Sequence, residues 1–358
     1  MWYTSDFNDY ELLDTSDGER LERWKDILLI RPDPQVLWKN VRRHPLWSKA
    51  NAHYHRSAKG GGSWEIKHLN DDLLNKGWRI DRKKMSFCVR PTGFKHTGVF
   101  PEQAVNWDFI TEKIEKANRP VSVLNLFAYT GTATCYAADG GVEETVTVDL
   151  SNTYLDWAER NMRQNGFVGP QHHFVRDDVL AWIRDQRQTR NRWDLIFVDP
   201  PTFSNSSKMG RRTWDVQRDH VELLAGVSRL LAQGGHAIFS CNLRGFRPET
   251  RKLARAGVVL EDITAQTIPE DFARNQKVHH CYIVRRLPIE DAMAEVGFSA
   301  EEIAERTEEL RNPEARKPRA AAPAPTQAGN GKSNFAGKPS PAGKSKKKKF
   351  YASKPKGK

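Results

Sequence analysis

VSVLNLFAYTGTATCYAADGGVEETVTVD, residues 121–149, reads as strand, tight turn, helix and strand, with an acid closing the second strand. Val121, Val123, Leu124, Leu126 and Phe127 form a short apolar run suited to a strand buried on both faces. Ala128-Tyr129-Thr130-Gly131-Thr132 turns the chain, and small residues then open a helix. Gly131 is expected to let backbone approach a ligand closely. Val146, Val148 and Asp149 end the unit, and a carboxylate in that place can accept both hydroxyl protons of a ribose. The unit therefore predicts a nucleoside cofactor without saying which.

The same alternation continues downstream. Asn152 to Gly166 has helical spacing at Tyr154, Leu155, Ala158 and Met162. A strand from Gln171 to Arg176 ends at Asp177-Asp178. There Asp178 is placed either to bond an adenine amino group or to cap the helix that follows. Trp193 to Val198 is a buried strand ending in Asp199-Pro200-Pro201-Thr202-Phe203. The next helix is expected over Val216–Leu231, stopped by Gly234-Gly235, followed by strands His236–Cys241, Val258–Thr264 and Val278–Arg285. Strands alternating with helices predict an α/β fold with a parallel sheet covered on both faces. Ligands in such sheets bind at the carboxyl ends of the strands, where Gly131, Asp149, Asp178, Asp199 and Cys241 all fall.

The turn holds only Gly131 where an NAD enzyme would show G-x-G-x-x-G, which favours S-adenosylmethionine over a dinucleotide. The Asp-Pro-Pro-Thr-Phe stretch strengthens that choice. Its prolines fix a rigid wall, its carbonyls can accept bonds from a planar base, and Phe203 can face that base.

Outside this block, residues 1–95 predict a small β-rich domain cut by Pro32, Pro34, Pro45 and Gly60-Gly61-Gly62. Six of the eleven tryptophans lie there. They read as core filling in preference to an RNA-stacking surface. Residues 91–110 are either a loop beside the cofactor turn or a plain linker. A methyltransferase domain over 96–290 and a helical extension over 291–312, opened by the capping box Ser299 to Glu302, complete the expected folded part.

Thirteen of the 57 Lys and Arg residues, and only one of the 45 acids, lie in 313–358, so the net +12 belongs entirely to that Ala/Pro/Gly/Ser/Lys tail. The tail reads as disordered and cationic, suited to a nucleic acid. Four scattered cysteines without a C-x-x-C pair fit a reducing cytoplasm and give no zinc-ribbon spacing, so no metal is expected. The acidic N-terminus is not a signal peptide, and no apolar run approaches a membrane span.

Residues 121–285 resemble the guanine-N7 catalytic half of the bacterial large-subunit ribosomal RNA methyltransferase K/L family. The likeness is carried by LNLFAYTGTAT, VDLSNTYLDWAERN, DDVLAW, DLIFVDPPTFSNS, DVQRDH, RGFR, and DFARN with His279 and Cys281. It implies a Rossmann-like, seven-stranded class I methyltransferase sheet and S-adenosyl-L-methionine as cofactor. It also implies large-subunit (23S) ribosomal RNA, or a pre-50S particle, as partner. The implied cofactor contacts are Phe127, Ala128, Tyr129, Thr130, Gly131, Thr132, Asp149, Leu150, Asp177, Asp178, Asp199 and Gln103. HTGVFPEQ, residues 96–103, resembles the cofactor-covering loop of the wider superfamily, whose usual Asp-Gln/His-Arg ending is here Pro101-Glu102-Gln103-Ala104.

Asp199, Pro200, Pro201 and Phe203 are the expected substrate-facing residues. Guanine N7 carries no proton, so its methylation needs positioning and no general base. Cytosine C5 would instead need a nucleophile, for which Cys241 in IFSCNLRGF is the candidate; its other reading is a small buried residue. His279 and His280 are expected to be structural. A non-catalytic RNA-binding protein keeping this fold is the remaining alternative.

Overall fold

The computed structural model describes residues 6–39, 41–57, 61–205, 213–268 and 279–312. Contacts divide the chain into 1–313 and 314–358. The expected basic tail, the DFARN stretch and the centre of the loop after Phe203 lie outside the described residues.

The N-terminal part is a five-stranded sheet in the order β1 (Tyr10–Ser16), β2 (Glu19–Trp24), β3 (Ile27–Pro32), β4 (Ala52–Arg56) and β5 (Gly62–Ile66). Only the β3–β4 pairing is parallel. A short helix, α1 (Asp71–Lys76), capped by the Asn70 side chain, leads into the hairpin β6 (Trp78–Arg82) and β7 (Met85–Val89). Of the six tryptophans, Trp24, Trp47 and Trp78 are buried in the core, Trp38 and Trp64 are half-buried, and Trp2 lies outside the described residues. The indole N–H groups of Trp38, Trp47, Trp64 and Trp78 all donate within the protein.

On β2 Glu22 is buried, accepting from Arg31 at 2.5 and 2.7 Å and from the Tyr10 hydroxyl at 2.9 Å. Burial alone would raise the Glu22 pKa; the charges of Arg20 and Arg31 outweigh it and bring it down to about 2.

Three elements lead from the hairpin into a seven-stranded sheet. They are α2 (Ala104–Glu115), β8 (Ser122–Leu126) and α3 (Thr132–Asp139). The alternation continues through β9 (Glu144–Asp149), α4 (Asn152–Gln164), β10 (His172–Arg176), α5 (Val179–Gln186) and β11 (Trp193–Val198). A two-strand excursion, β12 (Phe203–Ser204) with β13 (Trp214–Asp215), precedes α6 (Val216–Ser228). Then come β14 (Leu231–Cys241), β15 (Val258–Asp262) and β16 (His280–Arg286). The order is β10-β9-β8-β11-β14-β16-β15.

All neighbours pair in parallel except β16, which runs antiparallel to both β14 and β15. The expectation of a fully parallel sheet is corrected there. A second correction concerns Gly234-Gly235. The helix already ends at Ser228, and the glycines lie inside β14, where the register jumps from Trp193–Leu231 to Leu195–His236. Gly234 has φ +75°, a conformation that allows this bulge at little cost.

One apolar cluster joins the two sheets, with Trp24, Ile80 and Phe87 packed with Trp107, Tyr136, Val123 and Phe197. The buried Arg82 reinforces the joint. It donates to Asp108 at 2.8 and 2.7 Å, to Asp6 at 3.0 Å and to the Tyr136 hydroxyl at 3.2 Å. Helices Ile289–Glu295 and Ala300–Arg311 follow the sheet, and the Ser299–Glu302 capping box forms as expected. No described helix is long and apolar enough to cross a membrane.

Replacing one partner of a buried pair leaves the other charge uncompensated. Glu22→Gln is therefore expected to lower stability at pH 7 by about 3 kcal/mol, read from the urea midpoint. Because the folded pKa lies below the ordinary 4.5, the wild-type advantage is full above 4.5 and shrinks as pH falls toward about 2. A pH-independent difference over that window would contradict this account.

Candidate functional site

The turn after β8 is unusually wound. Phe127, Tyr129 and Gly131 have φ values of +57°, +51° and +72°, so alternate residues are left-handed. Such strain persists only where neighbours fix it. Here Asp149, at the end of β9, does so: one carboxylate oxygen accepts the Tyr129 N–H at 2.9 Å and the other the Ser151 N–H at 2.8 Å. The Ala128 N–H is held by the Val148 carbonyl at 3.1 Å.

Gly131 is required for a reason the sequence did not give. A Cβ there would sit 2.6 Å from the Ala158 Cβ of α4, so the glycine serves helix packing as well as the turn. Thr130 is equally internal: its hydroxyl donates to the Gly98 carbonyl, and its own carbonyl accepts from Asn161 at 2.9 Å.

A cleft of about 1150 Å³ opens at the carboxyl ends of β8, β9 and β11. Of the predicted residues, Phe127, Ala128, Tyr129, Thr132, Asp149, Leu150, Asp178, Asp199, Pro200, Pro201, Phe203 and Gln103 line it. Thr130, Gly131, Asp177 and Cys241 do not. Asp178 caps α5, accepting the Ala181 N–H at 3.0 Å, while Asp177 accepts the Asp178 N–H at 2.7 Å.

The loop 96–103 lies beside the turn and is no plain linker. Gly98 packs so closely on Trp157 that a Cβ would come within 2.6 Å of its ring. An aromatic wall runs from His96 to Phe100, Tyr129 and Tyr154, with successive centroids 5.0, 5.1 and 4.6 Å apart.

Gln103 donates to Asp199 Oδ2 at 3.2 Å and to the Ser240 hydroxyl at 2.9 Å, and its carbonyl oxygen accepts from Asn106 at 2.7 Å. Burial, reinforced by Glu102, pushes the Asp199 pKa up to about 7, with a Ser240 hydrogen bond acting in the opposite direction. Beyond Asp199, the backbone of the predicted wall is partly engaged. The Pro201 carbonyl accepts the Trp214 indole N–H at 2.6 Å, and the Thr202 carbonyl accepts the Val216 N–H at 3.1 Å. Base recognition through those two carbonyls, as the sequence suggested, has to share them. Phe203 stands at the cleft mouth with 55% of its surface exposed.

Cys241 sits in an apolar cluster with Phe239, Phe246 and Tyr282, fully buried. Strand alternation explains this: its neighbours Ser240 and Asn242 engage Gln103 and Thr202, and Cys241 points the other way. Burial pushes its thiol up to about 12.

His279, expected to be structural, lines the cleft. Its Nε2 lies 2.9 Å from the Thr267 hydroxyl, its Nδ1 has no partner, and burial lowers its pKa to about 4. Tyr154 and Trp157 from α4 and Asn242 just after β14 also line the cleft, although none was singled out as a site residue. Outside the cleft, His53, His55 and Glu65 gather ligand atoms within 4.8 Å on β4 and β5, a grouping made by strand pairing that sequence spacing did not anticipate.

Residues 54–260 match the model of the S-adenosylmethionine-dependent methyltransferase family. The chain belongs to that family. Among solved structures it is similar to a SAM-dependent methyltransferase from Agrobacterium tumefaciens, with 25% identity and a TM-score of 0.64, covering 78% of this chain and 91% of that one. It is also similar in fold to SMU.776, a protein complexed with SAH, at 18% identity and a TM-score of 0.58, covering 78% and 76%.

S-adenosylmethionine is thus the cofactor of this methyltransferase, supplying a methyl group on a positively charged sulfur. The donor set fits it. Asp149, Asp178 and Asp199 give one side of the cleft a negative character suited to a ligand with net positive charge. The carboxylates of Asp178 and Asp199 make fewer internal bonds than the roughly four lone-pair sites of a carboxylate allow.

With its pKa pushed up to about 7, Asp199 would make the binding of a cationic ligand in this cleft pH-dependent. Binding a cation favours ionised Asp199, so affinity for S-adenosylmethionine is expected to rise from pH 6 to pH 8, several-fold more than affinity for S-adenosylhomocysteine, which lacks the sulfonium charge. Calorimetric titration of both ligands across that range tests this. Asp199→Asn should remove the difference in slope, and a difference retained in the variant would contradict the assignment.

Proposed function

We propose that this methyltransferase modifies a base of large-subunit (23S) ribosomal RNA, at guanine N7. The observation that carries the reading is Phe203, an exposed aromatic ring at the mouth of the cofactor cleft, two residues beyond the Pro200-Pro201 wall and on the short β12–β13 pairing. An exposed ring in that place is a platform on which a base taken out of its stack can lie, and stacking offsets a cost of a few kcal/mol. The resemblance of DPPTFSNS and its neighbouring stretches to the guanine-N7 family supports the choice of base.

The chemistry agrees with the residues in the cleft. N7 offers a lone pair and releases no proton, so the enzyme has only to hold the purine in line with the methyl group and exclude water. Asp199, Gln103 and Ser240 form a fixed polar cluster beside the proline wall, suited to orienting a base edge. The cytosine-C5 route asks for a thiolate. Cys241 is buried away from the cleft with its pKa raised to about 12, which disfavours that route. The basic tail, residues 313–358, is the proposed electrostatic tether to RNA.

Incubation of the protein with labelled S-adenosylmethionine and ribosomal RNA tests these roles together. Phe203→Ala is expected to lower kcat/KM for RNA by about 10- to 100-fold, matching the roughly 1–3 kcal/mol of a base–aromatic stack, with S-adenosylhomocysteine binding unchanged. Cys241→Ala should retain methylation. Loss of turnover in Cys241→Ala with an unchanged melting temperature would replace the N7 reading with the C5 mechanism.

Truncation before Lys332 should flatten the salt dependence of RNA binding and leave cofactor binding alone, and an unchanged slope would show that the tail is incidental.

A further inference from the structure

The cleft is divided by charge. Its sheet edge carries Asp149, Asp178 and Asp199, whereas the wall contributed by β2, β4 and the 90–96 segment carries Arg20, Arg56, Arg90 and Lys95. Two of these cations are committed within the protein. Arg20 pairs with Glu22 at 3.3 Å and lies 3.9 Å from Asp33, and Arg90 donates to the Asn75 carbonyl and packs over the Trp157 ring at 5.3 Å. The side chains of the other two, Arg56 and Lys95, make no hydrogen bond or ion pair with the described residues.

Lys95 is nevertheless half-buried and rigidly placed. Its carbonyl accepts from Arg31 at 3.0 Å, and the loop around it is pinned by the Trp64 indole N–H, which donates to the carbonyls of Thr92 and Phe94 at 2.9 and 3.0 Å.

Burying an ammonium beside like charges is unfavourable unless something negative completes the site. The acids on this wall supply it only in part: Asp33, 3.9 Å from Arg20, favours the Lys95 ammonium but less than burial, Arg20 and Arg31 oppose it, and Glu102 keeps a buried oxygen with no partner. The cost is visible in Lys95 itself, where burial and then the charges of Arg20 and Arg31 lower the pKa to about 8. His96, next to it, is lowered well below its ordinary value by burial and by Lys95, so it stays neutral and does not add to the charge. The arrangement is a preorganised anion seat that opens into the same cleft as the methyl-donor side.

Resting on the RNA reading above, we infer that Lys95 and Arg56 form a phosphodiester subsite that seats the RNA backbone next to the target nucleotide. This gives the N-terminal sheet a role in the chemistry, because Arg56 ends β4 and Arg31, which fixes Lys95, lies on β3. A phosphate held there would anchor the substrate while leaving the base free to reach Phe203.

The full chain, saturated with S-adenosylhomocysteine, is treated with a limiting amine-acylating reagent at pH 8, and Lys95 modification is read by mass spectrometry. A guanosine-containing oligoribonucleotide is expected to protect Lys95 at least threefold, whereas free guanosine, which lacks phosphate, is not. Lys95→Gln with Arg56→Gln should reduce the magnitude of the slope of log K against log salt for RNA by about 2, equally for different RNA sequences, with S-adenosylhomocysteine affinity unchanged. Lys95→Arg should restore about one unit of that slope to the double variant.

Absence of protection, equal protection by guanosine, or an unchanged slope in the double variant overturns the subsite. Protection together with failure to methylate any RNA would leave the subsite standing and overturn the assigned reaction instead.

Discussion

Asp149 is the constraint on which the site depends. Its carboxylate accepts two backbone N–H groups, from Tyr129 on one side and Ser151 on the other, and so ties the strained turn after β8 to the start of α4. Three left-handed residues within five would relax without such a partner. An acid that lines the cleft is therefore also the group that shapes the turn beside it. Gly131 and Ala158 complete this arrangement by letting α4 lie directly against the turn.

Around that turn the protein separates its charges. Acids line the cleft at the carboxyl edge of the sheet, and arginines and a lysine from the N-terminal sheet and its exit loop line its other wall. The separation depends on the two sheets being locked together. Arg82 and the shared cluster around Trp107 and Tyr136 provide that lock, and the buried Glu22–Arg31 pair links it to the loop carrying Lys95. A low-dielectric cleft makes each of these charges count for more than it would in water.

Much of the fold was legible in local pattern. The apolar runs at 121–127 and 193–198 and the helical spacing in 152–166 specify a buried sheet with covering helices, and residues at the strand ends converge on one edge. Long-range pairing was less visible. Nothing local shows that the last strand runs antiparallel, or that Gly234-Gly235 makes a bulge inside a strand instead of ending a helix.

The site divides the same way. Asp149, Asp199 and Phe203 stand out because they follow strands. His279, Tyr154 and the Arg56–Lys95 pair meet only after the chain has folded, and Cys241 could be placed off the cleft only once the pleat of β14 was known. Gly131 drew attention as a ligand-facing glycine, although its absent Cβ makes room for a helix.

We propose that the methyl group goes to guanine N7 of large-subunit ribosomal RNA. Nucleoside mass spectrometry of 23S RNA from a strain lacking this protein, before and after incubation with the purified enzyme and isotopically labelled S-adenosylmethionine, tests it most directly. The account predicts one 7-methylguanosine missing from the strain and restored with label by the enzyme. Label appearing in 5-methylcytidine, or no labelled nucleoside in ribosomal RNA at all, would contradict it.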